Sequence, residues 1–228
     1  MSKNYTKHSY KTRQEWLSAR GIGGSDAAAV CNKSKWKTDR DVYNSLTSSK
    51  PKTEKKNTRM IQGTLAEEHI RALFAIEHPE YQIISPPKKT FWMFKRKDYP
   101  LITLTPDGLI IDKKNSKKYG LEIKHIELRK KEQIELWLND TLPDDYYFQT
   151  LHYLVGMNDL DGVCLVARLC FFKFNEDNEY VLDHIEERTY WIIRDEVEGH
   201  VLYLEKKEIS FIENNIKPGK RPPVIVKI

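Results

Sequence analysis

The chain has 228 residues, of which 39% are hydrophobic and 31% charged, with a net charge of +5. That length and mixture are enough for one domain with a sizeable core and exclude a disordered polymer. No stretch approaches the roughly 18 apolar residues of a membrane span, and the polar N-terminus lacks the apolar run of a signal peptide.

In chain order, "KTRQEWLSAR" (11–20) predicts a helix that stops at Gly21, and "SDAAAVCN" (25–32) predicts a second one capped by Ser25 or Asp26. "TDRDVYNSLT" (38–47) predicts a third, so the first sixty residues read as helical and interrupted. Residues 48–57 read as a lysine-rich loop, and 58–78 as one longer helix closed by Pro79. From Tyr81 to Ile126 short apolar runs ("YQIIS", "TFWMF", "LITLT", "GLIID", "YGLEIKHI") alternate with Pro, Gly and Asn turns and predict strands. A helix follows over Lys130–Leu138, another begins at Pro143, and "GVCLVARLCFF" (162–172) is an apolar strand. "YVLDHIEERTYWII" adds one or two strands, 194–216 is a final amphipathic helix, and the proline-bearing tail is extended. The order predicts an α/β domain with one central mixed β-sheet flanked by helices and a helical N-terminal region.

Basic residues cluster near the start, in 48–59, in 113–118 and in the tail, whereas acids gather in 127–145 and 176–198. Such asymmetry fits a polyanion-binding face opposite an acidic one, or simply solvated loops. Cys31, Cys164 and Cys170 lack CxxC spacing and an even count. They read as buried thiols of a reducing cytoplasm, which excludes a disulfide framework and a zinc or iron–sulfur site.

Three charged residues occur inside apolar strands. Strand alternation sends Glu122 and Lys124 to one face and Leu121 and Ile123 to the other. A hairpin turning near "KKNSKK" brings Asp107 alongside Glu122. Two adjacent carboxylates repel, and a hard cation such as Mg²⁺ or Mn²⁺ removes that repulsion through oxygen ligands. The backbone carbonyl of Ile123 is a further candidate ligand, and Lys124 is placed to orient a water or to neutralise charge in phosphodiester hydrolysis. Glu-x-Lys alone is common on solvated strand edges; "TPDG" ahead of "LEIK", both in apolar surroundings, sets it apart.

"TPDGLIID…GLEIK" resembles the PD-(D/E)XK nuclease signature. The blocks "EWLSARGIGGSDAAA", "QGTLAEEHIRALF", "LTPDGL…LEIK" and "YYFQTLHYLVG" resemble, in order, the YqaJ-type viral recombinase (lambda exonuclease) branch of that superfamily. The resemblance implies a PD-(D/E)XK core and a Mg²⁺- or Mn²⁺-dependent 5′→3′ exonuclease on double-stranded DNA ends, leaving 3′ single strands for phage-type recombination. It implies Asp107, Glu122 and Glu67 as metal ligands, Lys124 as catalytic lysine, and Gln149 as a hydrogen-bonding group beside it. Arg20 and Ser25 match the pair that grips the 5′-terminal phosphate, although the family's arginine-to-serine spacing is slightly longer. A single-strand annealing recombinase is the implied partner, a homotrimer the implied assembly, and the cytoplasm of a phage or prophage host the implied location. On this reading 1–57 is the end-binding region, 58–215 the catalytic core and 216–228 a basic tail of one domain. An endonuclease, or an inactive DNA-end-binding protein on the same fold, is the alternative.

Other residues carry two readings. His152 shares a helix face with Gln149 and reads first as a packed, hydrogen-bonded histidine. Tyr146 and Tyr147 stack near DNA or, preferably, pack in the core. Trp36 and Trp92 are each a strand-separating wedge or a packing residue.

Overall fold

The computed structural model describes residues 2–49, 58–138 and 141–224. Lys50, Lys52, Lys55 and Lys56 of the basic loop, and the last residues of the tail, lie outside them.

Three helices open the chain's helical region: α1 (Arg13–Ala19), α2 (Gly24–Val30) and α3 (Asp39–Thr47). α1 and α3 start where the Thr12 and Thr38 hydroxyls accept the N–H of the third helical residue, and Glu15 and Asp41 reach back to complete each box. At α2 the expectation of a Ser25 or Asp26 cap is corrected. Gly23 is the cap, and Asp26 Oδ2 accepts its N–H at 2.9 Å. Helix α4 runs Thr58–Glu77.

The strands form two sheets where one was expected. β1 (Tyr5–Tyr10), β3 (Phe91–Arg96) and β4 (Thr103–Leu104) make a small antiparallel sheet in the order β1-β3-β4. β2 (Tyr81–Ile84), β5 (Gly108–Asp112), β6 (Lys118–Leu128), β7 (Gly162–Phe174) and β8 (Tyr180–Ile193) make the central sheet in the order β2-β5-β6-β7-β8. It is mixed: β6 and β7 run parallel and the other neighbours antiparallel. The parallel pair requires a crossover, which α5 (Lys131–Glu135) and α6 (Asp144–Gly156) supply. α7 (Arg194–Phe211) continues into one π-helical turn, Ile212–Ile216.

β1 was not anticipated, because only Tyr5 of its six residues is buried and no apolar alternation marks it. Lys7 of β1 and the preceding Lys3 are exposed but make contacts within the fold. The Lys7 ammonium sits 3.3 Å from the centre of the Trp92 ring, and Lys3 lies 3.9 Å from Asp159.

One core cluster packs α2, α3, α6 and α7 against the small sheet, and a second packs Ile70 and Phe74 of α4 on Ile110, Leu121 and Ile123 of the central sheet. The two sides of β6 therefore meet different helices, α4 on one and α6 on the other. Close approach is built in at Gly24, where a Cβ would stand 2.7 Å from Gln149 Cγ. That contact sets the start of α2 against the middle of α6.

Candidate active site

β6 does what its alternation predicts. Leu121 and Ile123 are buried against α4, while Glu122, only 3% exposed, and Lys124 face α6. The β5–β6 register pairs Gly108 with Leu121, and the Asp107 N–H donates to the Leu121 carbonyl at 2.9 Å. Asp107 thereby stands across from Glu122, and its Oδ2 accepts the Ile123 N–H at 2.7 Å. So the Ile123 peptide joins the site through its N–H.

Glu122 is the hub. Its Oε1 accepts from Lys124 Nζ and from Gln149 Nε2, each at 2.6 Å, and its Oε2 accepts the Tyr153 hydroxyl at 2.5 Å. Gln149 and Tyr153 lie one turn apart on α6 and also touch each other, Nε2 to hydroxyl oxygen, at 3.2 Å. A buried carboxylate is tolerated only when its lone pairs are met, and here both oxygens are. Tyr153 was missed at the sequence level, although the spacing of "QTLHY" places it on the Gln149 face.

Glu67 reaches the rim of the same site from α4. Its Oε1 pairs with Arg71 Nη2 at 2.5 Å, an i,i+4 contact. Glu67 and Asp107 line a groove of about 510 Å³ that Arg13, Arg71, Lys88 and Lys89 also border.

The electrostatics record the crowding of acids. Burial, then the charges of Glu122 and Glu67, push the Asp107 carboxyl well above the usual range. Burial and Glu122 push Glu67 up as well, against the opposing pull of Arg71. Burial alone would lower Lys124, but Glu122 and Asp107 outweigh it and hold the ammonium charged. Like-charge pressure among oxygen donors is what a hard divalent cation relieves, so the donor set fits Mg²⁺ or Mn²⁺. Among the described residues no three His, Cys, Asp or Glu side chains already form a metal cage. Glu67 in particular is engaged with Arg71 rather than turned to the other two acids.

Arg20 and Ser25 stand in contact: Arg20 Nη2 donates to Ser25 Oγ at 2.9 Å. The guanidinium lies 5.5 Å from the centre of the Trp16 ring. Because Gly24 packs on Gln149, this pair sits beside the Glu122 hub.

The remaining alternatives separate by burial. His152 is packed, wholly buried between Glu208 and the Thr103 carbonyl. Trp92 is a core residue at 6% exposure, and Trp36 is not, at 75%. Tyr146 is partly buried and turns its ring to the Lys124 ammonium, 5.3 Å from its centre. No helix among the described residues is long and apolar enough to cross a membrane.

The family model of the YqaJ-like viral recombinase domain matches residues 15–156, more than half of the chain and the stretch that carries every residue of the site. The chain belongs to this family. A Bacillus subtilis (strain 168) member, the uncharacterized protein YqaJ, is 29% identical over 152 residues, covering 65% of this chain. The match spans 43% of that relative's length. Among solved structures, an alkaline exonuclease from Laribacter hongkongensis (LHK-Exo) superposes with a TM-score of 0.50 at 19% identity, covering 90% of this chain and 98% of that one. The same exonuclease in complex with dAMP gives a TM-score of 0.50 over 91% and 96% of the two chains. The fold, a mixed sheet flanked by helices, is thus shared with that exonuclease.

Proposed function

We propose that the chain is a divalent-metal-dependent exonuclease that degrades one strand of linear double-stranded DNA from its 5′ end. The observation that carries this reading is the single hydrogen-bonded cluster of Glu122, Lys124 and Gln149 with Asp107 across the strand pair and the Arg20–Ser25 pair beside it. Asp107 and Glu122 would hold the cation, with Glu67 able to join by releasing Arg71. Bound there, it would supply Lewis acidity toward a phosphate oxygen and acidify a water.

The chain's own residues then divide the work. The Lys124 ammonium neutralises charge developing on the phosphate, and Gln149 holds the Glu122 carboxylate in place while offering an amide to the water or phosphate. Tyr153 fixes the other Glu122 oxygen, so the hub cannot swing away. Arg20 and Ser25 bind the terminal 5′-phosphate, which sets an end, rather than an internal bond, as the place of attack. Arg13, Arg71, Lys88 and Lys89 along the groove give sequence-blind phosphate contacts, so binding weakens steeply with salt. A single-strand annealing recombinase on the released 3′ strand, assembly as a homotrimer, and work inside a phage-bearing host cell complete the proposal on the family resemblance.

The test is a 5′-phosphorylated linear duplex labelled at either end, incubated with Mg²⁺ beside a closed circular plasmid. The 5′ label leaves first, the circle stays intact, and Lys124→Ala lowers turnover by about 10²-fold or more with the fold retained. Nicking of the circle would replace the exonuclease by an endonuclease. Metal-independent binding without cleavage would make the chain an end-binding protein.

A further inference from the structure

Trp36 is the most exposed large apolar group besides Ile76, and it does not sit on a loose loop. The Ser34 hydroxyl, itself buried, accepts the N–H groups of Trp36 and Lys37 at 3.1 and 3.3 Å. Lys37 Nζ pairs with Asp26 of α2, and the Lys35 N–H donates to Asp145 of α6 at 3.4 Å. The loop is thus bolted to the two helices that present Ser25 and Gln149. The backbone that carries Trp36 is thereby fixed, and the residue stays 75% exposed.

Its surroundings indicate the partner's chemistry. The local sequence "KSKWK" interleaves the tryptophan with lysines, and Lys33 and Lys35 are exposed. Trp36 borders a groove of about 440 Å³ that Tyr146 also lines, and the Tyr146 ring faces the Lys124 ammonium. Tyr146 is thus the residue through which this groove borders the hub. Glu135, Asp144 and Asp145 along it repel phosphates and Lys35, which also lines it, attracts them, so the groove suits bases better than backbone. An aromatic face flanked by cations is how proteins hold unpaired nucleotides without reading sequence.

We propose that Trp36 is a base-stacking platform for unpaired nucleotides at the DNA end, guiding the strand along the Tyr146 groove. This deepens the reading given under Proposed function and rests on it for the identity of the ligand.

The experiment compares two labelled single-stranded oligonucleotides with equal phosphate numbers, one with bases and one abasic over several nucleotides, by fluorescence anisotropy in EDTA. The wild type binds the base-bearing probe roughly 5- to 100-fold more tightly, the range expected for one stacked base. Trp36→Ala loses most of that difference and Trp36→Phe keeps part of it. The salt dependence is unchanged in both, whereas Lys33→Ala and Lys35→Ala each lower its slope by about 0.7. Should Trp36→Ala fold poorly, protection of the exposed indole from acrylamide quenching by the base-bearing probe alone gives the same answer on the wild type. Unaltered discrimination in Trp36→Ala, or equal loss on both probes, overturns the platform. Cleavage of the linear duplex, measured on the same preparations, reports separately. Intact cleavage with no Trp36 effect removes only the platform; Trp36-dependent discrimination without cleavage removes the nuclease and leaves the base-binding site.

Discussion

Replacing Glu208 by alanine tests the deepest polar contact in the fold. His152 on α6 and Glu208 on α7 are both wholly buried, with Nδ1 to Oε1 at 2.6 Å, while Nε2 faces the Thr103 carbonyl at 3.0 Å. With Glu208 as a carboxylate, both ring nitrogens donate, to Glu208 and to the Thr103 carbonyl, and the ring is an imidazolium. Burial alone would favour the neutral ring, but Glu208, the Thr103 carbonyl and the more distant Asp26 raise His152 above its ordinary value. Removing one partner of a buried pair leaves the other charge uncompensated, at a cost of about 3–5 kcal/mol. For a chain of this size that corresponds to a drop of roughly 6–20 °C in Tm. The sign with pH follows from the raised histidine. The pair's contribution is complete below the unfolded value near 6.5 and is lost as pH rises through the higher folded value. Thermal melts of wild type and Glu208→Ala from pH 6 to 9.5 should therefore converge as the pH rises, with the widest gap at the acid end. His152→Phe combined with Glu208→Leu, which replaces the pair by apolar volume, should lie nearer the wild type than either single change. A gap below about 1 kcal/mol, or one that does not narrow with pH, would refute the ion pair and leave a neutral hydrogen bond in its place.

The site makes its own predictions. Asp107→Asn should melt at or above the wild type in EDTA at neutral pH, because a carboxyl raised by burial and by Glu122 contributes stability at acid pH that is lost as pH rises through its folded value. The same variant should lose the Mg²⁺-induced stabilisation, which for the wild type approaches about 2.7 kcal/mol at a hundred times Kd and is read as a rise in Tm. Tyr153→Phe deletes the donor to Glu122 Oε2 and should cost about 1.5–3 kcal/mol in denaturant melts, with kcat lowered and the KM for DNA little changed. An unchanged melt would mean that Glu122 finds another donor. Arg20→Ala should leave the melt intact and abolish the preference for phosphorylated over dephosphorylated 5′ ends, and an unchanged ratio would remove Arg20 from end recognition.

Much of the site was legible because strand chemistry is local. The alternation of Leu121, Glu122, Ile123 and Lys124 predicts which side chains share a face, and the helices and strands around them followed from caps and apolar runs. What escaped depends on contacts between segments far apart in the chain. β1 carries a single buried residue and exists because Phe91–Arg96 offers it a partner edge. The division into two sheets follows from β3 pairing with β1 and β4 instead of with β2, a choice that no local pattern encodes. Tyr153 needed one more step along the helical face from Gln149, and Arg71 needed the same step from Glu67. The Ser25 cap failed for a different reason. Gly23 has no side chain, so its role shows only in the backbone and in the Asp26 carboxylate that reaches back to it.

The hub also explains why the helix lying on β6 must be polar at one level and apolar above it. α6 presents Gln149 and Tyr153 to Glu122, while Leu151, Leu154 and Val155 fill the core behind them. A carboxylate this deeply buried, if left unbonded, would destabilise the fold. With an ammonium, an amide and a phenol around it, the carboxylate stays in place between two strands and a helix. Each of those donors satisfies Glu122 from a different element or position, so, on the proposed function, a cation held by Asp107 would meet an acid whose orientation is already set. The same hydrogen bonds that make the buried acid tolerable to the fold are the ones that aim it at the adjoining strand. Stability and chemistry therefore cannot be separated at this residue: a substitution that weakens the donors should loosen the β6–α6 packing and the site together.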